Sequence, residues 1–278
     1  MKYPDDFIDQ IILGDSVEVL KEIPDNSIDL VVTSPPYNIG IRYETWNDRM
    51  PWDEYYNWCR KWLYEIYRVL KDDGRFCLNH YLSFGSGKRG FKIGTKKGNN
   101  QTDDDEDTRQ TPLMDLNYIA VNEIGFRHHS IAIWQDITLA RETAWGSWLS
   151  ASSPYINSPF EGILILYKKY WKKQNAGVST IDKKDFVKLT RGIWDIGTAT
   201  GDTPAVFPEK LPYYCINLLS YEGDIVLDPF VGSGTTAVVA KRLGRHFIGI
   251  EIDPKYAEIA RRRVSFEMLD FNGYGGHR

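Results

Sequence analysis

Cysteine is scarce in this sequence, with only Cys59, Cys77 and Cys215 in 278 residues. They lie far apart and form no C-x-x-C pair, which excludes a zinc ribbon and a dithiol redox motif. A sparse, odd count suits a reducing compartment, so a cytoplasmic protein is expected. Histidine is rare too, at five residues. The one adjacent pair, His128 and His129, would point to opposite faces of a strand, and no metal is expected. Apolar runs never exceed strand length, well short of the ~20 residues of a membrane helix. The opening residues, MKYPDD, contain no apolar signal core. No membrane partner is therefore expected. An excess of positive charge is also missing: the formal net charge is -4. Any nucleic acid would have to be met by local basic patches rather than by a field of the whole molecule.

What is present is an ordinary globular composition, 42% hydrophobic and 26% charged, which excludes a disordered chain, a collagen-like repeat and a coiled coil. A chain of this length buries enough surface to need neither disulfide nor metal. Strand-like and helix-like segments alternate. Ile11–Gly14, Ile28–Thr33, Arg75–Asn79, Ser130–Trp134, Gly162–Tyr167, Asp224–Asp228 and Phe247–Glu251 read as strands. Ser16–Glu22, Trp52–Leu70, Pro112–Ile124, Lys210–Ser220, Thr235–Leu243 and Pro254–Leu269 read as helices. This alternation predicts an α/β fold with a mostly parallel, Rossmann-like sheet and helices on both faces. Residues 1–278 form one domain on this reading. Residues 85–112, glycine-rich and charged, with the acidic run Asp103–Asp107, are expected to be a mobile surface insertion.

Two motifs carry chemistry. Asp228-Pro229-Phe230-Val231-Gly232-Ser233-Gly234-Thr235-Thr236 falls between a strand and a helix. Glycines there let the backbone turn sharply and approach a ligand, and the free N–H groups of a helix start suit an anionic group. Glu251 ends the next strand, about 20 residues beyond the glycines, where a carboxylate can accept from ribose hydroxyls. Gly232, Gly234 and Ala237 also satisfy a loose G-x-G-x-x-A pattern, on which a nicotinamide oxidoreductase would be a fair reading. The second motif, Thr33-Ser34-Pro35-Pro36-Tyr37, directly follows the continuous apolar run Ile28–Thr33, which reads as a buried strand. Two prolines stiffen the loop and remove two N–H donors, so it offers carbonyl acceptors, the Ser34 hydroxyl and the Tyr37 ring. That set suits a planar base bearing an exocyclic amine.

TSPPY together with DPFVGSGTT resembles the S-adenosylmethionine-dependent DNA amino-methyltransferases. The order, catalytic loop first and glycine turn near the C-terminus, is similar to the circularly permuted β class, with a class I methyltransferase fold. The likeness extends to ILGDSVEVLKEIPDNSIDLVVTSPPYN, DDGRFCLNH, SPFEGILILYKK, TPAVFPEKLPYYCI and GIEIDPKYAEIARRR. It implies that Asp228, Phe230, Gly232, Gly234 and Thr235 line the methionine end of S-adenosylmethionine. Glu251 would hold its ribose, and Asp15, otherwise a helix cap or turn aspartate, would accept from its adenine amine. Residues 203–207 would cover the methionine tail.

Ser34, Pro35, Pro36 and Tyr37 would hold a flipped-out base of double-stranded DNA. Family members with serine at position 34 more often modify cytosine at N4, and those with aspartate adenine at N6. The expectation is therefore N4-cytosine, with adenine N6 as the alternative and RNA as a lower one. Trp145 and Trp148 are read as loop or core packing, with a stacking role as the alternative. The basic stretch 168–191 is expected to be a short target-recognition segment, and Lys88–Lys97 a second basic patch. Arg261-Arg262-Arg263 is read as a solvated helix face. A second copy of the chain and a cognate restriction endonuclease complete the partners that the resemblance implies.

Overall fold

Continuous apolar runs and short turns put the chain into alternating layers. The computed structural model describes residues 1–82, 110–136, 149–152, 160–197, 199 and 207–271. Most of the 85–112 insertion, with Lys88–Lys97 and Asp103–Asp107, lies outside the described residues. So do Trp145, Trp148 and residues 203–206. The strands are β1 (Gln10–Leu13), β2 (Ile28–Thr33), β3 (Leu70–Tyr81), β4 (Arg127–Asp136), β5 (Phe160–Tyr167), β6 (Ile193–Ile196), β7 (Ile225–Asp228) and β8 (His246–Glu251). The helices are α1 (Ser16–Leu20), α2 (Trp52–Val69), α3 (Pro112–Tyr118), α4 (Lys183–Leu189), α5 (Lys210–Leu219), α6 (Thr235–Arg242) and α7 (Pro254–Phe271). A π-helical turn, Ile119–Ile124, prolongs α3 and ends at left-handed Gly125.

The strands form one sheet in the order β1-β8-β7-β2-β3-β5-β4-β6. Among the described residues only β5 runs against its neighbours, so the sheet is mostly parallel. β2 is buried at all six positions, as a strand covered on both faces must be. Its side chains alternate between two cores. Val31 joins Val17, Leu20, Trp62, Leu63, Ile66 and Leu116 under α1, α2 and α3. Leu30 and Val32 join Leu211, Ile216, Val238, Ala240 and Ala260 under α5, α6 and α7. Helices thus cover both faces of the Rossmann-like sheet, as the alternation predicts.

Three local readings are corrected. The strand expected at Arg75–Asn79 is longer: α2 stops at Val69, and β3 begins at once because Leu70 pairs with Ile28. A register shift between Ile28 and Leu30 then lets β3 run through Gly74. The stretch 168–191, where no helix is expected, holds α4, capped by the Asp182 side chain on the Asp185 N–H. Its sequence, KKDFVKL, buries only Leu189, so it has no apolar stripe to read. β6 was not expected either; it is a four-residue edge strand paired with β4.

Candidate active site

Parallel strands deliver their C-terminal ends to one rim of the sheet, and the loops leaving that rim carry both motifs. β2 runs into Ser34-Pro35-Pro36-Tyr37, β7 into the glycine turn, and β8 ends at Glu251. β5, being antiparallel, brings its start to the same rim, where Glu161 pairs with Tyr81 at the end of β3. A cavity of about 450 Å³ opens there. Ser34, Pro35, Pro36 and Tyr37 line it, together with Asp228, Phe230, Gly232, Thr235, Glu251 and Asp15, which follows the β1 strand paired with β8. Gly234 is the exception among the expected residues. A Cβ there would stand 2.9 Å from Ala260 Cβ, and its φ is +87°. It therefore shapes the turn against α7 instead of lining the cavity. Gly232, at φ +52°, has open space where a Cβ would be.

The two motifs, 195 residues apart, are bonded to each other. Thr33 Oγ1 donates to Asp228 Oδ1 at 2.6 Å. Asp228 also accepts from the Phe230 N–H at 3.0 Å and from Thr236 Oγ1 at 2.6 Å. Its carboxylate is thus engaged by the protein itself. Burial pushes its pKa up to about 6 despite these three donors, because a desolvated charge costs more than the hydrogen bonds return. Glu251 is likewise raised by burial; its two oxygens accept from the Gly232 and Asp253 N–H groups, both at 2.9 Å. Asp15 caps α1, its Oδ1 accepting from the Val17 and Glu18 N–H groups at 2.9 and 3.2 Å. The cap and the cavity-lining position therefore belong to the same side chain. Phe230 packs against Trp58 and Trp62, with ring centroids 5.4 and 5.5 Å away.

The proline loop is held from several directions. Tyr55 Oη donates to the Pro36 carbonyl at 2.8 Å and contacts His80 Nε2 at 3.0 Å. The Pro36 carbonyl is therefore occupied, whereas nothing among the described residues donates to that of Pro35. Burial lowers the His80 pKa to about 3, keeping the ring neutral. Beyond the loop, the Asp48 carboxylate accepts from the N–H groups of Asn38, Ile39, Gly40 and Ile41 at 2.8 to 3.1 Å. Tyr37 is tied at its hydroxyl. Its Oη accepts from Ser34 Oγ at 2.8 Å and from Asn79 Nδ2, and donates to Glu161 Oε2 at 2.8 Å. Its ring leans on His80, with centroids 4.3 Å apart.

Several site residues were not read from the sequence. Asn79, Glu161, Trp46, Trp58 and Phe207 line the cavity; of these, only Phe207 falls within an expected segment, 203–207. Arg261 and Arg263 do not form a merely solvated face. Arg261 donates to the Ile11 carbonyl at 2.8 and 3.0 Å. Arg263 Nη1 donates to the Ser233 carbonyl at 2.7 Å, to Ser233 Oγ at 2.9 Å and to Thr235 Oγ1 at 3.1 Å, bracing the glycine turn. The two arginines reach different partners from α7, and Arg262 is exposed. In the 168–191 stretch, Lys168 donates to the Leu70 carbonyl and Asn26, and Lys173 pairs with Asp29 and Asp224. Lys172, Lys183, Lys184 and Arg191 face solvent. Among the described residues no cluster could hold a metal ion, and no helix is long and apolar enough to cross a membrane.

Residues 28–262 match the family model for N6- and N4-type DNA methylases, described as DNA methylase. The Type II methyltransferase M.MjaVI of Methanocaldococcus jannaschii is 39% identical over 173 residues, covering 62% of this chain and 78% of its own. The Type II methyltransferase M.BglII from Bacillus subtilis is 31% identical over 286 residues, covering 98% of this chain and 73% of its own. Among solved structures, TTHA0409 of Thermus thermophilus, assigned as a DNA modification methylase and complexed with S-adenosyl-L-methionine, is 28% identical. It superimposes with a TM-score of 0.69 over 93% of each chain.

Proposed function

The chain belongs to the N6/N4 DNA methylase family, and from that premise we propose that it methylates the exocyclic N4 of a cytosine flipped out of double-stranded DNA. The coarser statement, an S-adenosylmethionine-dependent DNA amino-methyltransferase, is the family's own. One observation carries the site assignment: the Thr33–Asp228 hydrogen bond draws the proline loop and the glycine turn onto one cavity. Serine at position 34 supports cytosine, since family members with that residue more often act at N4. Adenine N6 is the second reading, because the acceptors offered to the amine serve either base.

The residues present fit the cofactor. Gly232 leaves room where a side chain would block the cavity, and Glu251 is a buried carboxylate at the strand end. When bound, S-adenosylmethionine supplies an electrophilic methyl group on a sulfonium. Glu251 would accept from its ribose hydroxyls. Asp15 would receive the adenine amine through Oδ2, because Oδ1 caps α1. Phe230, Gly232 and Thr235 would form the wall beside the methionine end, with Asp228 and Gly234 holding that wall in shape.

The target amine is conjugated to its ring and is a weak nucleophile. Donation to Ser34 Oγ and the Pro35 carbonyl would draw it towards sp3 geometry and free its lone pair. Ser34 directs its own proton to Tyr37, so its lone pairs face the amine as acceptors. Tyr37 would bound the base pocket. Its tethered hydroxyl fixes the ring, and catalysis is mostly positioning and electrostatics. A base in the duplex reaches the cavity only after extrusion.

The 168–191 stretch is proposed as the target-recognition segment, carried by Lys172, Lys183, Lys184 and Arg191. A second copy for the other strand and a cognate restriction endonuclease belong to the same proposal, which the relatives' Type II names support. The three cysteines are buried free thiols, which suits the expected cytoplasm. The test is transfer of a labelled methyl from S-adenosylmethionine to duplex DNA, followed by digestion to nucleosides. N4-methylcytosine is the expected product. N6-methyladenine would replace the base assignment, and label in RNA alone would overturn the substrate.

A further inference from the structure

The cavity contains a continuous line of hydroxyls that ends on a carboxylate. Ser34 Oγ donates to Tyr37 Oη at 2.8 Å, and Tyr37 Oη donates to Glu161 Oε2 at 2.8 Å. Both hydrogen bonds point the same way, away from the lone pairs that Ser34 would offer to an amine. Asn79 Nδ2 donates to Tyr37 Oη and, at 2.7 Å, to Glu161 Oε2, which fixes the angle between the last two groups. Glu161 comes from β5 and lies 124 residues from Tyr37 in sequence. We propose that this line carries away the proton that the methylated amine must lose, with Glu161 as the acceptor. The proposal rests on the reading above that Ser34 receives the target amine, and it holds for either base.

The chemistry balances. A nitrogen that gains a carbon while keeping both hydrogens carries a positive charge. As the N–C bond forms, the methyl–sulfur bond breaks and its electron pair stays on sulfur. One amine proton moves to Ser34 Oγ, the Ser34 proton moves to Tyr37 Oη, and the Tyr37 proton moves to Glu161 Oε2. Ser34 and Tyr37 end with as many protons as they began with, Glu161 gains one, and the methylamino base is neutral. Burial and the Glu161 charge hold the Tyr37 phenol well above its usual pKa. It therefore serves as a hydroxyl that gives and takes a proton together, never as a free phenolate. Glu161 is only partly buried, so it can return its proton to water after turnover.

Glu161→Gln separates this role from a structural one. The amide keeps a carbonyl oxygen to accept from Tyr37 but cannot take up a proton. Single-turnover methylation of duplex DNA should slow by about tenfold to a hundredfold, at or below the low end for general acid–base groups. Affinity for S-adenosylhomocysteine, measured by calorimetry, should stay at the wild-type value and reports that the variant folds. The wild-type rate should fall on the acid side as Glu161 becomes protonated; the Gln variant should lack that limb, and Glu161→Asp should restore part of it. In the cofactor-free protein, infrared titration should find a carboxylic C=O band, absent from the Gln variant, with a midpoint matching the limb. Tyr37→Phe combined with Glu161→Gln should be no slower than the slower single variant, as for two groups on one path. A Gln variant with the wild-type rate and pH profile, or fully additive losses, overturns the relay. A wild-type protein that transfers no methyl to duplex DNA overturns the reading beneath it and the relay with it.

Discussion

The two walls of the cavity are built from different atoms. The glycine-turn wall is built of carboxylates held by backbone N–H groups: Gly232 and Asp253 on Glu251, and Phe230 on Asp228. The proline-loop wall presents side chains: the hydroxyls of Ser34 and Tyr37, the Asn79 amide and the Glu161 carboxylate. Backbone donors are fixed in direction and pass no protons under ordinary conditions, so the first wall suits holding a molecule of constant shape. Hydroxyls rotate and both give and accept, so the second suits chemistry at a reacting nitrogen. Thr33 Oγ1 and Asp228 Oδ1 form the joint between the walls. If the walls divide the work in this way, damage to one should change turnover and damage to the other should change affinity.

The strongest test of that division is a crossed pair of variants. Ser34→Ala removes the amine acceptor and the start of the hydroxyl line. It should lower kcat by about a thousandfold, within the range for a lost transition-state partner, and leave S-adenosylhomocysteine affinity within about twofold, since binding draws on the other wall. Glu251→Ala should raise the dissociation constant for the cofactor by about a hundredfold, equivalent to about 2.7 kcal/mol for a buried charged hydrogen-bond acceptor. Steady-state kinetics with calorimetry on each variant checks both halves. If Ser34→Ala weakens cofactor binding as much as Glu251→Ala does, the walls are not separable.

The same contrast explains what could be read from the sequence. Ser34-Pro35-Pro36-Tyr37 and Asp228–Thr235 are contiguous, and each stands directly after an apolar strand, so residue type and position agreed. The parallel sheet was legible because β2, β7 and β8 are short apolar runs between turns. Glu161 and Asn79 carry no local signal. Glu161 reaches the cavity because β5 pairs antiparallel with β3, and Asn79 because β3 pairs parallel with β2; both are long-range facts. A basic triplet reads as surface; only the packing of α7 on the sheet edge aims Arg263 at Ser233. Lys168 and Lys173 mislead in the same way, since charge runs give no hint of which members turn inward. β6 and α4 give no such signal, because four residues at an edge, and a helix with one buried side chain, carry almost no periodic pattern.

Arg263 sharpens the comparison from outside the cavity. It touches the glycine turn through three hydrogen bonds and does not line the cavity. Arg263→Ala should leave kcat at saturating cofactor nearly unchanged. It should raise the cofactor dissociation constant about tenfold, because the turn must then be ordered on binding. Hydrogen bonds from a charged donor contribute roughly 1.5–3 kcal/mol each in buried settings. This guanidinium is partly exposed, so loss of stability should fall at or below the low end of that range. Thermal unfolding with and without S-adenosylhomocysteine reads both effects. An unchanged affinity would mean that α7 braces the fold but not the turn.

The smallest effect tests the joint itself. Asp228 is raised to about 6 in the folded chain by burial, against roughly 3.9 when unfolded. The folded state therefore binds more protons than the unfolded state between about pH 4 and pH 6, and stability contributed by this group falls as pH rises through that window. The contribution is fully present below the unfolded value and lost above the folded one. Asp228→Asn removes the titration while keeping a polar group for Thr33 and Thr236 to bond. Comparing melting temperatures of the two proteins from pH 4 to pH 7 should show the difference shifting in favour of the Asn variant as pH rises, then levelling off above about pH 6. A difference that stays flat across the window would mean that Thr33, Thr236 and the Phe230 N–H fully offset the burial of the charge. The joint between the walls would then be held without an energetic penalty at neutral pH.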